Sequence, residues 1–146
     1  MRQWKLPGTD LWISSIVMGT GNFSMAGEPD NLRLIDRFAE MDGNLLDTAN
    51  SYGKSRTNDP NISEQIIGRW LKSSSQASAM MIITKGGFPP FEDLTNSRLQ
   101  PADVAADLEL SLATLGRDTI DLYYLHRDDP SIPVADLLGM LHEFRK

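Results

Sequence analysis

Residues 79–87, Ala-Met-Met-Ile-Ile-Thr-Lys-Gly-Gly, decide how the chain folds. The apolar run Ala79 to Thr84 is the clearest strand signal in the sequence, and Lys85-Gly86-Gly87 stops it. On either side the same alternation repeats. Upstream, Asn44 to Asp47 reads as a short strand and Ser63 to Lys72 as a helix, with Ile66, Ile67, Trp70 and Leu71 at helical spacing. Downstream, Pro101 opens a helix whose Val104, Leu108, Leu112 and Leu115 share one face before Gly116 ends it. Thr119 to Leu125 is the next strand, and a last helix from Pro133 carries Val134, Leu137, Leu141 and Phe144.

The first unit is read the same way. Ser15 to Met18 is a strand leading into Gly19-Thr20-Gly21, and Pro29 to Met41 is a helix with Leu32, Ile35, Phe38 and Ala39 on one stripe, closed by Gly43. Ahead of it, Trp4 to Leu6 and Leu11 to Ile13 flank Pro7-Gly8-Thr9-Asp10, the chemistry of a hairpin turn. Two connections are long: the polar stretch after Asp47, through Tyr52-Gly53-Lys54 to Pro60, and Phe88 to Gln100, which contains Pro89 and Pro90 and has the length of a pocket-shaping loop. Four strand–helix units predict an α/β protein with a parallel sheet and right-handed crossovers, doubly wound or part of a barrel. A complete eight-unit barrel takes about 250 residues, so the chain has room for roughly half of one.

Composition limits what this scaffold can do. The 146 residues are 40% hydrophobic and include three Trp, enough for a single core. The absence of Cys excludes a disulfide framework and a thiolate metal site, and His126 and His142 are the two imidazoles. No metal site is expected. A net charge of −6 without a Lys/Arg-rich run argues against a nucleic-acid surface. Nor is a membrane expected: Met1 to Lys5 lacks an apolar leader, and Met80 to Ile83 is too short to span a bilayer. The expectation is a soluble cytoplasmic protein.

Asp47, Lys85 and His126 each end or follow a strand, and Tyr52 lies shortly after Asp47. Parallel strands present their carboxyl ends on one side of the sheet, so the four residues converge there as a proton-handling site. Taken singly, Asp47 reads as a turn former or helix cap, Tyr52 as a packing residue with a wet hydroxyl and His126 as a satisfied polar group. Lys85 is harder to place on structural grounds, because an ammonium facing the interior needs a carboxylate partner, which Asp47 can supply. Three other motifs fail. Gly19-Thr20-Gly21-Asn22-Phe23-Ser24 begins like a dinucleotide fingerprint but has Ser24 at the third glycine and no helix start. His126-Arg127-Asp128 looks like a kinase catalytic loop, yet Pro133 stands where the metal-binding Asn belongs. Asn61-Ile62-Ser63 fits the glycosylation pattern, which matters only in a secreted chain.

Asp47-Thr48-Ala49-Asn50-Ser51-Tyr52-Gly53, Ser63-Glu64-Gln65-Ile66-Ile67-Gly68, Thr84-Lys85-Gly86-Gly87 and Asp121-Leu122-Tyr123-Tyr124-Leu125-His126 resemble, in order and spacing, the aldo-keto reductase superfamily. Lys5-Leu6 with Met18-Gly19-Thr20-Gly21-Asn22-Phe23 is similar to its bacterial members. The resemblance implies a (β/α)8 TIM barrel, of which residues 1–146 would be the amino-terminal half. It implies NADP(H) as cofactor, a small-molecule carbonyl substrate and a catalytic tetrad of Asp47, Tyr52, Lys85 and His126. Gly19, Thr20 and Asp47 would contact the cofactor, and Phe23, Phe88 and Arg127 are the loop positions that would line the substrate pocket. Tyr52 would donate the proton, with Lys85 stabilising the phenolate, Asp47 holding Lys85, and His126 orienting the carbonyl.

The family's second half, which holds most contacts to NADPH, has no counterpart here, and Glu143-Phe144-Arg145-Lys146 lacks a helix stop. A cut within a longer barrel is the expectation; a stand-alone half would hide its sheet edges by self-association. The alternatives to a reductase are a non-catalytic cofactor-binding subunit resembling channel-associated β subunits, and an inactive truncated product.

Overall fold

The computed structural model describes residues 1–53 and 61–145; the part of the expected polar loop from Lys54 to Pro60 lies outside the described residues. An antiparallel hairpin, β1 (Gln3–Lys5) and β2 (Trp12–Ser14), precedes the repeat. Four parallel strands follow in spatial order: β3 (Met18–Gly19), β4 (Leu45–Asp47), β5 (Met81–Gly86) and β6 (Leu122–Leu125). Each is followed by its helix: α1 (Glu28–Glu40), α2 (Ile62–Ser73), α3 (Pro101–Leu115) and α4 (Val134–Glu143). The sequential order of neighbouring parallel strands is that of a barrel wall, so the doubly wound alternative does not apply.

Strand boundaries differ from the sequence reading in an informative way. β3 comprises only Met18 and Gly19, because the short β4 offers partners at Leu46 and Asp47 alone; Ser15 to Val17 are exposed and outside the strand. β5 runs on through Lys85 to Gly86, pairing with Tyr124 and Leu125, so Lys85 belongs to the strand rather than to the loop after it. β6 begins at Leu122, three residues later than the apolar run suggests. At the end of α1 the left-handed residue is Asp42, with φ of 59°, not Gly43. Gly43 serves packing instead: a Cβ there would stand 2.4 Å from the Phe38 ring.

Alternation sorts the sheet into two faces. Leu46 and Ile82 point outward into the main core, where they meet Ile35 of α1 and Ile62, Ile66, Ile67 and Trp70 of α2. Burial of these aliphatic side chains, each contributing about 1.5–3 kcal/mol, supplies the driving force for docking α1 and α2 on the sheet. Trp70 closes its one polar atom by donating from Nε1 to Asp36 Oδ1 at 2.6 Å. Within the same layer Glu64 is fully buried and accepts from Thr84 Oγ1 at 2.6 Å; burial pushes its carboxyl above the usual range, favouring the neutral form. A second cluster, Leu99, Val104 and Met140, joins α3 to α4. The opposite face of the sheet carries Leu45, Asp47, Ile83, Lys85, Leu122 and Tyr124, and Asp47 and Lys85 are its polar members at the strand ends.

The sheet-facing stripe of α3 is not the apolar one expected. Val104, Asp107, Ser111 and Leu115 are buried, whereas Leu108 and Leu112 are partly exposed in a groove toward Leu141 and Phe144. Close approach explains part of the docking: Gly68 of α2 lies against the end of α3, where a Cβ would meet the Thr114 carbonyl oxygen at 2.3 Å. Ala ordinarily stabilises a helix interior relative to Gly by about 1 kcal/mol, but here the neighbour is backbone that cannot yield. Gly68→Ala is therefore expected to destabilise the fold by about 1–3 kcal/mol in urea unfolding. A neutral or stabilising result would contradict this packing.

Candidate active site

The site forms where β4, β5 and β6 end. Asp47 is the last residue of β4, Lys85 the penultimate residue of β5, and His126 directly follows β6, its N–H donating to the Gly86 carbonyl at 2.8 Å. Alternation alone places the three side chains on the same face. Tyr52 arrives from the β4–α2 loop, whose start and finish are joined by Asn61 N donating to Asn50 O and Ser63 N donating to Tyr52 O, while Tyr52 N closes a local turn on Ala49 O.

Lys85 organises the cluster. Its ammonium donates to Asp47 Oδ1 at 2.7 Å, to the Thr48 carbonyl at 2.8 Å and to the Tyr52 hydroxyl oxygen at 3.0 Å. These three bonds use the full donor capacity of a lysine and fix the head group in place. The ion pair is largely sheltered, with side-chain exposures of 13% for Lys85 and 28% for Asp47, so its attraction is screened less than that of a surface pair. Because Tyr52 oxygen accepts from Lys85, its own proton is directed elsewhere. The Tyr52 ring also stands edge-on to His126, with centroids 5.6 Å apart, and its flat side leaves room for the backbone of Gly21, where a Cβ would come within 3.7 Å.

His126 is half-buried. Its Nδ1 lies 3.2 Å from Ser51 Oγ, and its ring packs on Phe88 at 5.0 Å between centroids. Burial, with the nearby Lys85 and Arg127 charges, holds its pKa below the usual histidine value, while Asp47 opposes the shift. The imidazole is therefore neutral at neutral pH. Ser51 and the Thr48 carbonyl were invisible as site groups in the sequence, since each acts through a single hydrogen bond set by loop geometry; their place in the Asp47–Gly53 motif was the available signal.

The remaining expected positions divide. Phe88 lies against His126 and Phe91, and the exposed Arg127 places its guanidinium 5.5 Å from the Phe88 centroid, so both stand beside the four-residue cluster. Phe23 does not line it: it is buried in the main core, a correction that follows from its packing with the outward face of the sheet. Gly19 pairs with Asp47 across the strands and is exposed, with nothing within 4 Å of a would-be Cβ. Thr20 is fully buried; its hydroxyl donates to the Asp47 carbonyl at 2.9 Å and accepts from Ser63 Oγ at 2.6 Å, so its side chain serves the β3–β4–α2 junction.

The lowered His126 pKa carries a sign for stability. The unfolded chain takes up this proton first as pH falls, so neutral His126 contributes stability that is present above the usual value of 6.5 and is lost as pH drops toward the depressed folded value. Proton NMR titration is expected to give a His126 midpoint below 6.5, and His126→Gln to flatten unfolding stability against pH in that window. A midpoint at or above 6.5 would contradict the buried environment.

Residues 15–146 match the model of the aldo/keto reductase family. An aldo-keto reductase of Strobilurus tenacellus is 31% identical over 131 residues, covering 88% of this chain and 35% of that protein. An aldo-keto reductase of Schizosaccharomyces pombe whose name carries NADP(+) is 29% identical over 122 residues, covering 82% and 34%. Among solved structures, a holo aldo-keto reductase from Bacillus halodurans superposes with a TM-score of 0.81 at 25% identity, over 99% of this chain and 46% of that one. The chain thus spans about a third of the length of these curated relatives and about half of the solved barrel. On this match the chain belongs to the aldo/keto reductase family, as a partial (β/α)8 barrel.

Proposed function

We propose that residues 1–146 are the amino-terminal half of a barrel domain and provide the proton-transfer centre of an NADP(H)-dependent reductase of aldehydes or ketones. The observation that carries this reading is the three-way contact of Lys85 with Asp47, Thr48 and Tyr52. An aldo-keto reductase named for NADP(+) among the relatives supports the cofactor class.

The chemistry follows from the groups. Tyr52 accepts a hydrogen bond from Lys85 and has its own proton to give to a carbonyl oxygen; the adjacent ammonium stabilises the phenolate left behind. Asp47 pairs with the ammonium and aims it. Ser51 Oγ lies 3.2 Å from His126 Nδ1; in the tautomer in which that hydroxyl donates to Nδ1, the neutral imidazole carries its proton on Nε2 and would donate it to the same carbonyl oxygen, setting its angle. The residues fit the nicotinamide end of the cofactor: Gly19 lets a flat ring approach the backbone beside Asp47, and Lys85, fully committed within the chain, offers nothing to a phosphate. When bound, NADPH supplies the hydride to the carbonyl carbon.

The test is NADPH oxidation at 340 nm with 4-nitrobenzaldehyde, in a full-length barrel carrying these residues. Tyr52→Phe is expected to lower kcat by about 10²–10⁴-fold, the range for loss of a general acid, and Lys85→Met to lower it comparably. Equal rates for the parent and Tyr52→Phe would overturn the reading.

A further inference from the structure

The long loop between β5 and α3 returns almost to its starting point, and a buried carboxylate holds the two ends together. Asp107, on the sheet-facing side of α3, is 8% exposed. Its Oδ2 accepts from the Gly87 N–H at 2.8 Å, at the loop's entry. Its Oδ1 accepts from Arg98 Nη2 at 2.7 Å, at the loop's exit. Leu99 completes the closure: it is buried, and a Cβ on Gly87 would stand 2.6 Å from its Cδ2. Gly87 itself has φ of 77°, a conformation that suits glycine. The next residue is Phe88, whose ring packs on His126. Two residues before Gly87 stands Lys85.

We propose that Asp107 is a positioning residue of the site: by joining Gly87 to Arg98 it fixes the segment that presents Phe88 to His126. The energetics favour a clamp over a passive contact. A buried carboxylate needs both its counter-charge and its hydrogen bonds, so removing either end leaves the other badly solvated. Arg98 has the matching need: its guanidinium has Asp107 as its near carboxylate at 2.7 Å, with Asp103 at 3.9 Å. Burial, with Asp107 nearby, holds the Tyr123 phenol well above its ordinary range. Closing the loop at its base also holds its two ends at a fixed separation.

The role in catalysis rests on the reductase reading above; the clamp itself does not. The His126 ring protons, which sense the Phe88 ring 5.0 Å away, provide a direct readout by NMR in the full chain. Asp107→Ala is expected to shift these resonances toward values seen in Phe88→Leu, and Arg98→Met to shift them the same way, with less than additive effect in the double variant. Ser111→Ala, a buried change on the same face of α3, should leave them in place whatever it does to Tm. If Asp107→Ala does not fold, Arg98→Met carries the test. Unchanged His126 resonances in a folded Asp107→Ala or Arg98→Met variant would overturn the proposal. In an active full-length barrel, the same variants are expected to raise KM severalfold more than they lower kcat. Should Tyr52→Phe prove fully active while the resonances still move, the clamp stands and the reductase reading falls.

Discussion

An ammonium group in a partly buried place must be met by enough acceptors, and Lys85 meets that demand at one point: a carboxylate, a backbone carbonyl and a phenol oxygen, all within 3.0 Å. Much of the local fold can be read as the means of delivering those acceptors. Parallel pairing of β4 with β5 sets Asp47 opposite Ile83, two residues before Lys85, and side-chain alternation turns Asp47 and Lys85 to the same face. The start of the β4–α2 loop then brings the Thr48 carbonyl and Tyr52 to the ammonium. Thr48 is held in turn by Ser63 of α2, whose hydroxyl also reaches Thr20 after β3. A buried chain of hydroxyls thus ties the ends of β3 and β4 to α2 at the residue next to Asp47.

The two faces of the sheet have different tasks. Outward, apolar contacts with the helices supply most of the cohesion. Inward, Leu45 and Ile83 lie deep while Asp47 and Lys85 stand at the carboxyl ends, so polarity increases toward the rim where the loops emerge. Two carboxyl groups also enter the outer layer, each with a hydrogen-bond partner. Glu64 meets Thr84, and Asp107 meets Gly87 and Arg98. These contacts lie immediately behind β5, on either side of Lys85 in sequence, and brace the strand that carries the charge.

The sequence was most legible where one periodicity dominated. The α/β alternation, the parallel order and the convergence of Asp47, Lys85 and His126 all follow from apolar runs that stop at a polar residue. Legibility failed where a side chain's surroundings come from distant elements. Leu108 and Leu112 make an apolar stripe on α3, yet the buried positions include Asp107 and Ser111, because the partners that satisfy Asp107 come from Gly87 and a loop arginine that no local pattern can pair with it. Phe23 looked like a loop aromatic and proved to be core, packed in one cluster with Ile35 of α1 and the apolar face of α2. Thr20 stood beside the expected cofactor position, but its hydroxyl is engaged by Ser63 from forty-three residues away. Strand ends shifted by one to three residues because their lengths are set by the neighbour available for pairing, as β3 illustrates against the short β4.

The most direct measurement is nitrogen-15 NMR of the Lys85 ammonium in the intact chain. A head group held by Asp47, Thr48 and Tyr52 should give a proton-coupled cross-peak protected from solvent exchange at neutral pH, displaced by Tyr52→Phe and lost in Asp47→Ala. An ammonium that exchanges as fast as those of exposed lysines, and ignores both substitutions, would contradict the account.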